Sequence, residues 1–276
     1  MRIKLLILFF LPFLVFSQRP TKMSRSEFGF LLGGTYYIGD LNPLGHFKNM
    51  EPAGAIIYRF NVHSRLALRA HFMYGSISGS DSDSKYELHR NRNLSFQSDI
   101  YEAAGGIEFN YWPYQIGHKR YKATAYFLVE MGVFYFDPKT EYNGEMVSLR
   151  DLGTEGQGTP LSDSKKYSRV QFTMPVGLGF RCNLSKNVSM HLELGIRKTF
   201  TDYLDDVGAD QYVNQAELLS ASGQTSAALS NRSTDQSRFG KRGDSSTKDW
   251  YGFTGIGITF RLGQPKKCFF GLPYNY

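Results

Sequence analysis

Asp202, Asp205 and Asp206 fall in one short stretch, and Asp40 and His46 share another far upstream. Carboxylates beside an imidazole would activate a water or a nucleophile in a hydrolase. Asp205 and Asp206 would also suit a hard cation such as calcium. The simpler reading, preferred here, is solvated loop carboxylates that cap nearby backbone. No histidine pair has zinc-like spacing, no Cys-x-x-Cys occurs, and no serine sits in a Gly-x-Ser-x-Gly elbow. The glycine-rich run Gly153 to Gly158 lacks the lysine and the strand-to-helix setting of a phosphate cradle and reads as a turn-rich loop. No catalytic, cofactor or metal set emerges, so the chain is not expected to be an enzyme.

The elements that hold these residues are strands. From Val188 to Arg197, Val188, Met190, Leu192, Leu194 and Ile196 share one face, with Ser189, His191, Glu193, Gly195 and Arg197 on the other. Side chains alternate across a strand, so one face suits lipid and the other needs water or polar partners. Eight such stretches lie at about 28–38, 52–62, 65–77, 100–112, 122–136, 169–182, 187–200 and 250–262. Their connections are short and long in turn. The pattern predicts an all-β fold: an eight-stranded antiparallel transmembrane β-barrel with four long extracellular loops, 39–51, 78–99, 137–168 and 202–249. An even strand number leaves both termini and the short turns on the periplasmic side. Within the last loop, 215–246 is rich in Ser, Gln, Asn and Ala, shows no strand period and reads as mobile.

The ends fix the compartment. Arg2 and Lys4 precede the apolar run Leu5 to Phe16, with Ser17-Gln18 as a cleavage point, so residues 1–17 read as a signal peptide. The domains expected are then a barrel over 18–263 and a periplasmic tail over 264–276. The run is too short for a membrane-spanning helix. The formal charge of +7 loses two with Arg2 and Lys4, and the remaining cations are scattered, which argues against nucleic acid as a partner.

Inward positions include Arg59, Arg69, His71, Glu102, Glu108, Asn110, Glu130, Gln171, Arg181, His191, Glu193, Arg197 and Arg261. Eight strands leave an interior just filled by side chains, so these predict an ion-pair and hydrogen-bond plug rather than a pore. His71 and His191 read as satisfied interior histidines. Cys182 and Cys268 both fall at the periplasmic end, where a disulfide pinning the tail and two free thiols stand as open alternatives.

Three segments, Gly33 to Leu41, Tyr142 to Thr159 and Thr199 to Val207, resemble the PorG family of Bacteroidetes outer-membrane proteins. Their motif residues include Gly39, Asp40, Gly153, Glu155, Asp202, Tyr203, Asp205 and Asp206. The resemblance implies a non-enzymatic component of the type IX protein secretion system, serving gliding motility in some members. It implies PorK- and PorN-like periplasmic ring proteins as partners, with the barrel holding that ring at the outer membrane. The rival readings are a small channel or transporter, and a surface enzyme on an eight-stranded barrel. The tail offers candidate partner contacts in Lys266, Lys267, Phe269, Phe270, Tyr274 and Tyr276, since aromatic rings anchor interfaces and lysines steer acidic partners.

Overall fold

Alternation of apolar and polar residues gives twelve strands among the described residues, with four α-helices and one 3-10 turn, Asp81–Asp83, between them. The computed structural model describes residues 21–23, 25–43, 45–233, 241–263 and 266–268; the expected leader, 1–17, lies outside them. The strands are β1 (Thr21–Met23), β2 (Ser26–Ile38), β3 (Glu51–His63), β4 (Leu66–Ser80), β5 (Ser95–Asn110) and β6 (Ala123–Phe136). They continue as β7 (Lys139–Tyr142), β8 (Glu145–Ser148), β9 (Val170–Asn183), β10 (Val188–Thr199), β11 (Trp250–Leu262) and β12 (Lys266–Cys268). The helices are α1 (Glu87–Arg92), α2 (Leu149–Leu152), α3 (Gln215–Ser222) and α4 (Gln224–Ser230).

Eight of the strands close a ring. The order is β4-β3-β2-β11-β10-β9-β6-β5, and β4 pairs with β5 to complete it. Every pairing is antiparallel, and the seam between the first and last barrel strands runs in register from Ser26↔Leu262 to Ile38↔Trp250. Closure leaves no unpaired sheet edge within the barrel wall, the condition a strand must meet to sit in hydrocarbon. This is the eight-stranded antiparallel barrel expected from the alternation. The hairpin β7-β8 hangs from β5 through Gln97↔Lys139.

The outward face is apolar where the register brings strands together. Phe180, Leu192, Ile256 and Leu32 stand side by side across four strands, all exposed. No helix among the described residues is long and apolar enough to cross a membrane, and the strands carry the apolar surface. A belt of this kind on a closed barrel is the outer face of a membrane-spanning barrel.

The inward face is a charged plug. Glu27, Glu102, Glu108, Glu130 and Glu193 face Arg59, Arg69, Arg181, Arg197 and His71, every one of them buried. Arg59 donates to Glu108 at 2.6 Å, Arg69 to Glu193 at 2.6 Å, and Arg181 lies 3.3 Å from both Glu27 and Glu108. His71 presents Nε2 to Glu102 at 2.5 Å and Nδ1 to Glu130 at 3.0 Å. His71 thus stands between two carboxylates, in line with the four arginines. His191 sits apart, its Nδ1 3.1 Å from Thr259. Gly179 makes room for this layer: a Cβ there would fall 2.2 Å from the Tyr126 ring, whose hydroxyl donates to Glu193.

Two features depart from the sequence reading. The stretch 215–246, which shows no strand period and reads as mobile, contains α3 and α4, anchored by buried Leu218, Ala227 and Leu229. Asn214 caps α3 by accepting the Ala216 N–H at 3.1 Å. At the other end, β1 and β12 pair as a two-stranded ribbon, so the tail begins as a strand.

Candidate functional site

The barrel's loop end is closed by a cap to which all four long loops contribute. In the first loop Asp40 accepts the Asp244 N–H at 3.2 Å, and its carbonyl takes a hydrogen bond from Arg92 at 3.0 Å. Arg92, the last residue of α1, also pairs with Asp81 at 2.7 Å and donates to the Arg242 carbonyl. In the third loop Gly153 ends α2 with φ 65°, which turns Thr154 and Glu155 inward. Thr154 hydrogen-bonds Asp206, and Glu155 accepts Arg242 and the Gly208 and Ala209 N–H groups. Tyr167 donates to Asp206 at 2.8 Å and stacks on Tyr203, ring centroids 4.7 Å apart.

The motif residues singled out from the sequence thus meet in one place, although their segments are far apart in the chain. Gly39 lies against Tyr37 and Asp249, and Asp202 reaches Lys248 at 3.4 Å. His46 is not among them; it lies against Tyr36, 3.4 Å from its hydroxyl. Tyr37, Arg92, Arg242 and Asp249 are the partners that the sequence reading did not single out. Tyr37 lies inside a motif segment, but nothing local marks Arg242, whose contacts are supplied by other loops.

The aspartates are not the solvated loop carboxylates that the sequence reading expected. Asp202, Asp205 and Asp206 are buried, because the folded loops bring donors that replace water. The Tyr37 hydroxyl lies 2.6 Å from Asp205 and 2.9 Å from Asp249. A phenol carries one hydrogen, so two ionised carboxylates cannot both receive it; one of the pair must hold a proton and donate it to the phenol oxygen. Burial, with the Asp249 charge beside it, holds the Asp205 carboxyl well above the usual carboxylate range. Burial also holds Asp249 there, with Asp202 and Asp40 nearby. Asp206 is pushed up to about 7 by burial, against the pull of Arg242, and Asp202 to about 6 by burial, against Lys248.

The cap should therefore weaken as pH rises. Carboxyls whose folded values are raised keep protons that unfolded loops release, so the folded state binds more protons and stability falls with pH. The contribution is complete below the ordinary carboxylate range and is lost as pH passes about 6 and 7 for Asp202 and Asp206. Amide hydrogen exchange in 200–233 is expected to be better protected at pH 5 than at pH 8, after correction for intrinsic rates. Equal protection at both would reject the raised values of Asp202 and Asp206.

These carboxylates have little room to act on a ligand. The space beside Asp205, lined by Leu94, Leu149, Val207, Leu229 and Arg242, is about 10 Å³, enough for one water at most. Among the described residues no group of three or more ligating side chains gathers for a metal ion.

At the opposite end, Cys182 carries a free thiol, and the side chain of Cys268 lies outside the described residues. Lys266 and Lys267 belong to β12; Phe269, Phe270, Tyr274 and Tyr276 lie outside the described residues.

Fold and site together define a membrane-type eight-stranded barrel with a plugged lumen and a tied-down loop cap. The chain belongs to the family described as a domain of unknown function (DUF6089), which matches residues 4–221. Among solved structures it is similar to the attachment invasion locus protein Ail of Yersinia pestis, at 11% identity and TM-score 0.43, over 87% of this chain and 99% of that one. It is also similar to Neisserial surface protein A, at 8% identity and TM-score 0.41, over 86% and 97% of the two chains. OprG of Pseudomonas aeruginosa matches at 8% identity and TM-score 0.40, over 87% and 99%. No curated protein matches the chain.

Proposed function

We propose that this protein is a structural outer-membrane component of the type IX secretion machinery, holding a PorK/PorN-like periplasmic ring at the membrane, with its long loops outside the cell and its termini in the periplasm. The observation that carries a structural rather than a transporting role is the lumen. Charged side chains fill it in mutually paired layers, and the loop end is tied shut by Arg242, Glu155 and Asp206. The secretion role itself draws on the resemblance of three segments to the PorG family, and their convergence in one cap supports treating them as one functional unit. The apolar belt supports residence in a bilayer, and the closed barrel supports the outer membrane in particular.

Affinity purification from native envelopes after mild crosslinking tests this. The ring proteins are expected to co-purify, and deletion of the gene is expected to leave type IX cargo inside the cell. Normal export by the deletion strain would reject the role. Ion conductance through the purified barrel, together with an absence of ring proteins, would favour a channel instead.

A further inference from the structure

The turn end of the barrel carries charge of one sign. Arg25, Arg65, Lys119, Arg120, Lys122 and Lys186 are exposed there. The stretches 61–66, 110–123, 183–188 and 261–263 contain no aspartate or glutamate, and Glu27 is buried inside the lumen. The register of the ribbon sets Lys22 opposite Lys267. A field of one sign weakens the state that carries it. The loop end, by contrast, mixes both signs.

These cations sit on a fixed platform. The connection 111–122 folds across the barrel mouth, with Tyr114, Ile116 and His118 buried beneath it. It is fastened to the first turn by the Tyr114 N–H donating to the Ser64 carbonyl at 2.9 Å. Asn183 fastens it to the third turn, its side-chain amide donating to the Gln115 carbonyl at 3.1 Å and its side-chain oxygen accepting the Tyr114 hydroxyl at 2.6 Å. Gly117, at φ 83°, presses against the third turn so closely that a Cβ would lie 2.2 Å from the Lys186 carbonyl. Arg261 reaches across from β11 to the Ile116 carbonyl at 3.4 Å. Three connections are thus locked into one surface, and a surface ordered before binding loses little entropy on docking.

We propose that this platform is the docking face for an acidic protein surface, with Lys119, Arg120, Lys122 and Lys186 as its principal contacts. The middle of the connection, Tyr114 to His118, is held across the mouth by contacts to Ser64, Asn183, Lys186 and Arg261 around it, so a protein approaching along the barrel axis meets this surface and the cations beside it first. The proposal deepens the anchoring reading, which identifies the acidic partner as the periplasmic ring.

The test uses the full-length protein in phosphatidylcholine nanodiscs, with three probes: purified PorK/PorN-like ring proteins, poly-L-glutamate, and phosphatidylglycerol vesicles. The parent is expected to bind ring proteins with an affinity that falls steeply with salt. Both Lys119→Gln/Arg120→Gln/Lys122→Gln and Lys186→Glu should weaken binding by about tenfold or more, as expected for charge pairs at an interface. Both variants change exposed side chains and should keep the parent's heat-modifiable mobility on gels. If poly-glutamate binds in a manner the variants lose while the ring proteins bind nothing, the docking face stands and the anchoring reading falls. Variants that bind like the parent, a parent that binds neither polypeptide probe, or a parent that prefers phosphatidylglycerol vesicles to poly-glutamate would each overturn the proposal.

Discussion

Replacing Arg69 with methionine is expected to lower the unfolding free energy by about 3–5 kcal/mol, the cost of stranding a buried carboxylate. Arg69 donates to both oxygens of Glu193, at 2.6 and 2.9 Å, and lies 3.6 Å from Glu108 and 3.5 Å from Glu130. Without it Glu193 keeps only the Tyr126 hydroxyl. The double variant Arg69→Met/Glu193→Gln removes the stranded charge and should recover much of the loss, since a buried pair replaced as a unit is often close to neutral. Urea titration of the barrel folded into lipid vesicles, followed by the fluorescence of Trp112 and Trp250, measures both. A loss under about 1 kcal/mol for Arg69→Met would place the pair in the range of exposed ion pairs. Water would then reach the lumen, and the plug would not be sealed.

The same layer shows why so much of the barrel was legible. Lipid outside and ions inside impose an unbroken alternation, and Val188 to Arg197 declares both faces within one strand. The strand ends follow a different rule. β4 runs on to Ser80 and β5 begins at Ser95, beyond the expected limits, because Ser78, Ser80, Ser95 and Gln97 make the outward face polar there while Ile77 and Phe96 stay buried on the inner one. Above the membrane a strand can be wetted on its outer side, so the apolar-outward pattern ends while the ladder continues. The second loop is correspondingly shorter than expected.

The cap was only half legible. Gly39, Asp40, Glu155 and Asp206 could be named from their segments, but their burial depends on contacts such as Arg242 to Glu155 that no local spacing encodes. Helices α3 and α4 escaped for a related reason. A helix in a cap is held by a few anchors such as Leu218 and Leu229, and its remaining positions are free to be serine, glutamine and alanine, a composition that imitates a disordered segment. The basic residues of the turn-end platform, Lys119, Arg120 and Lys122, stand plainly in the sequence, yet its rigidity rests on Tyr114, Gly117 and Asn183 meeting across turns.

Arginine at Leu192 separates a barrel in lipid from a barrel in water. Leu192 lies mid-strand in β10, half exposed at 50%, between Phe180 and Ile256 on neighbouring strands. On a soluble protein an exposed leucine changed to arginine would be close to neutral, because the new charge meets water. At the bilayer midplane the same change should cost roughly 2–4 kcal/mol, falling to about 0–1 near the interface. Leu184, exposed in the turn after β9, supplies the matched control, since Leu184→Arg puts the same group at the barrel's end. Folding into phosphatidylcholine vesicles, with urea titration of both variants, should therefore show a large penalty at Leu192 and little at Leu184. Equal and small penalties would put water against the belt and remove the membrane from the account, whereas the expected gradient would measure how deep along β10 the hydrocarbon reaches.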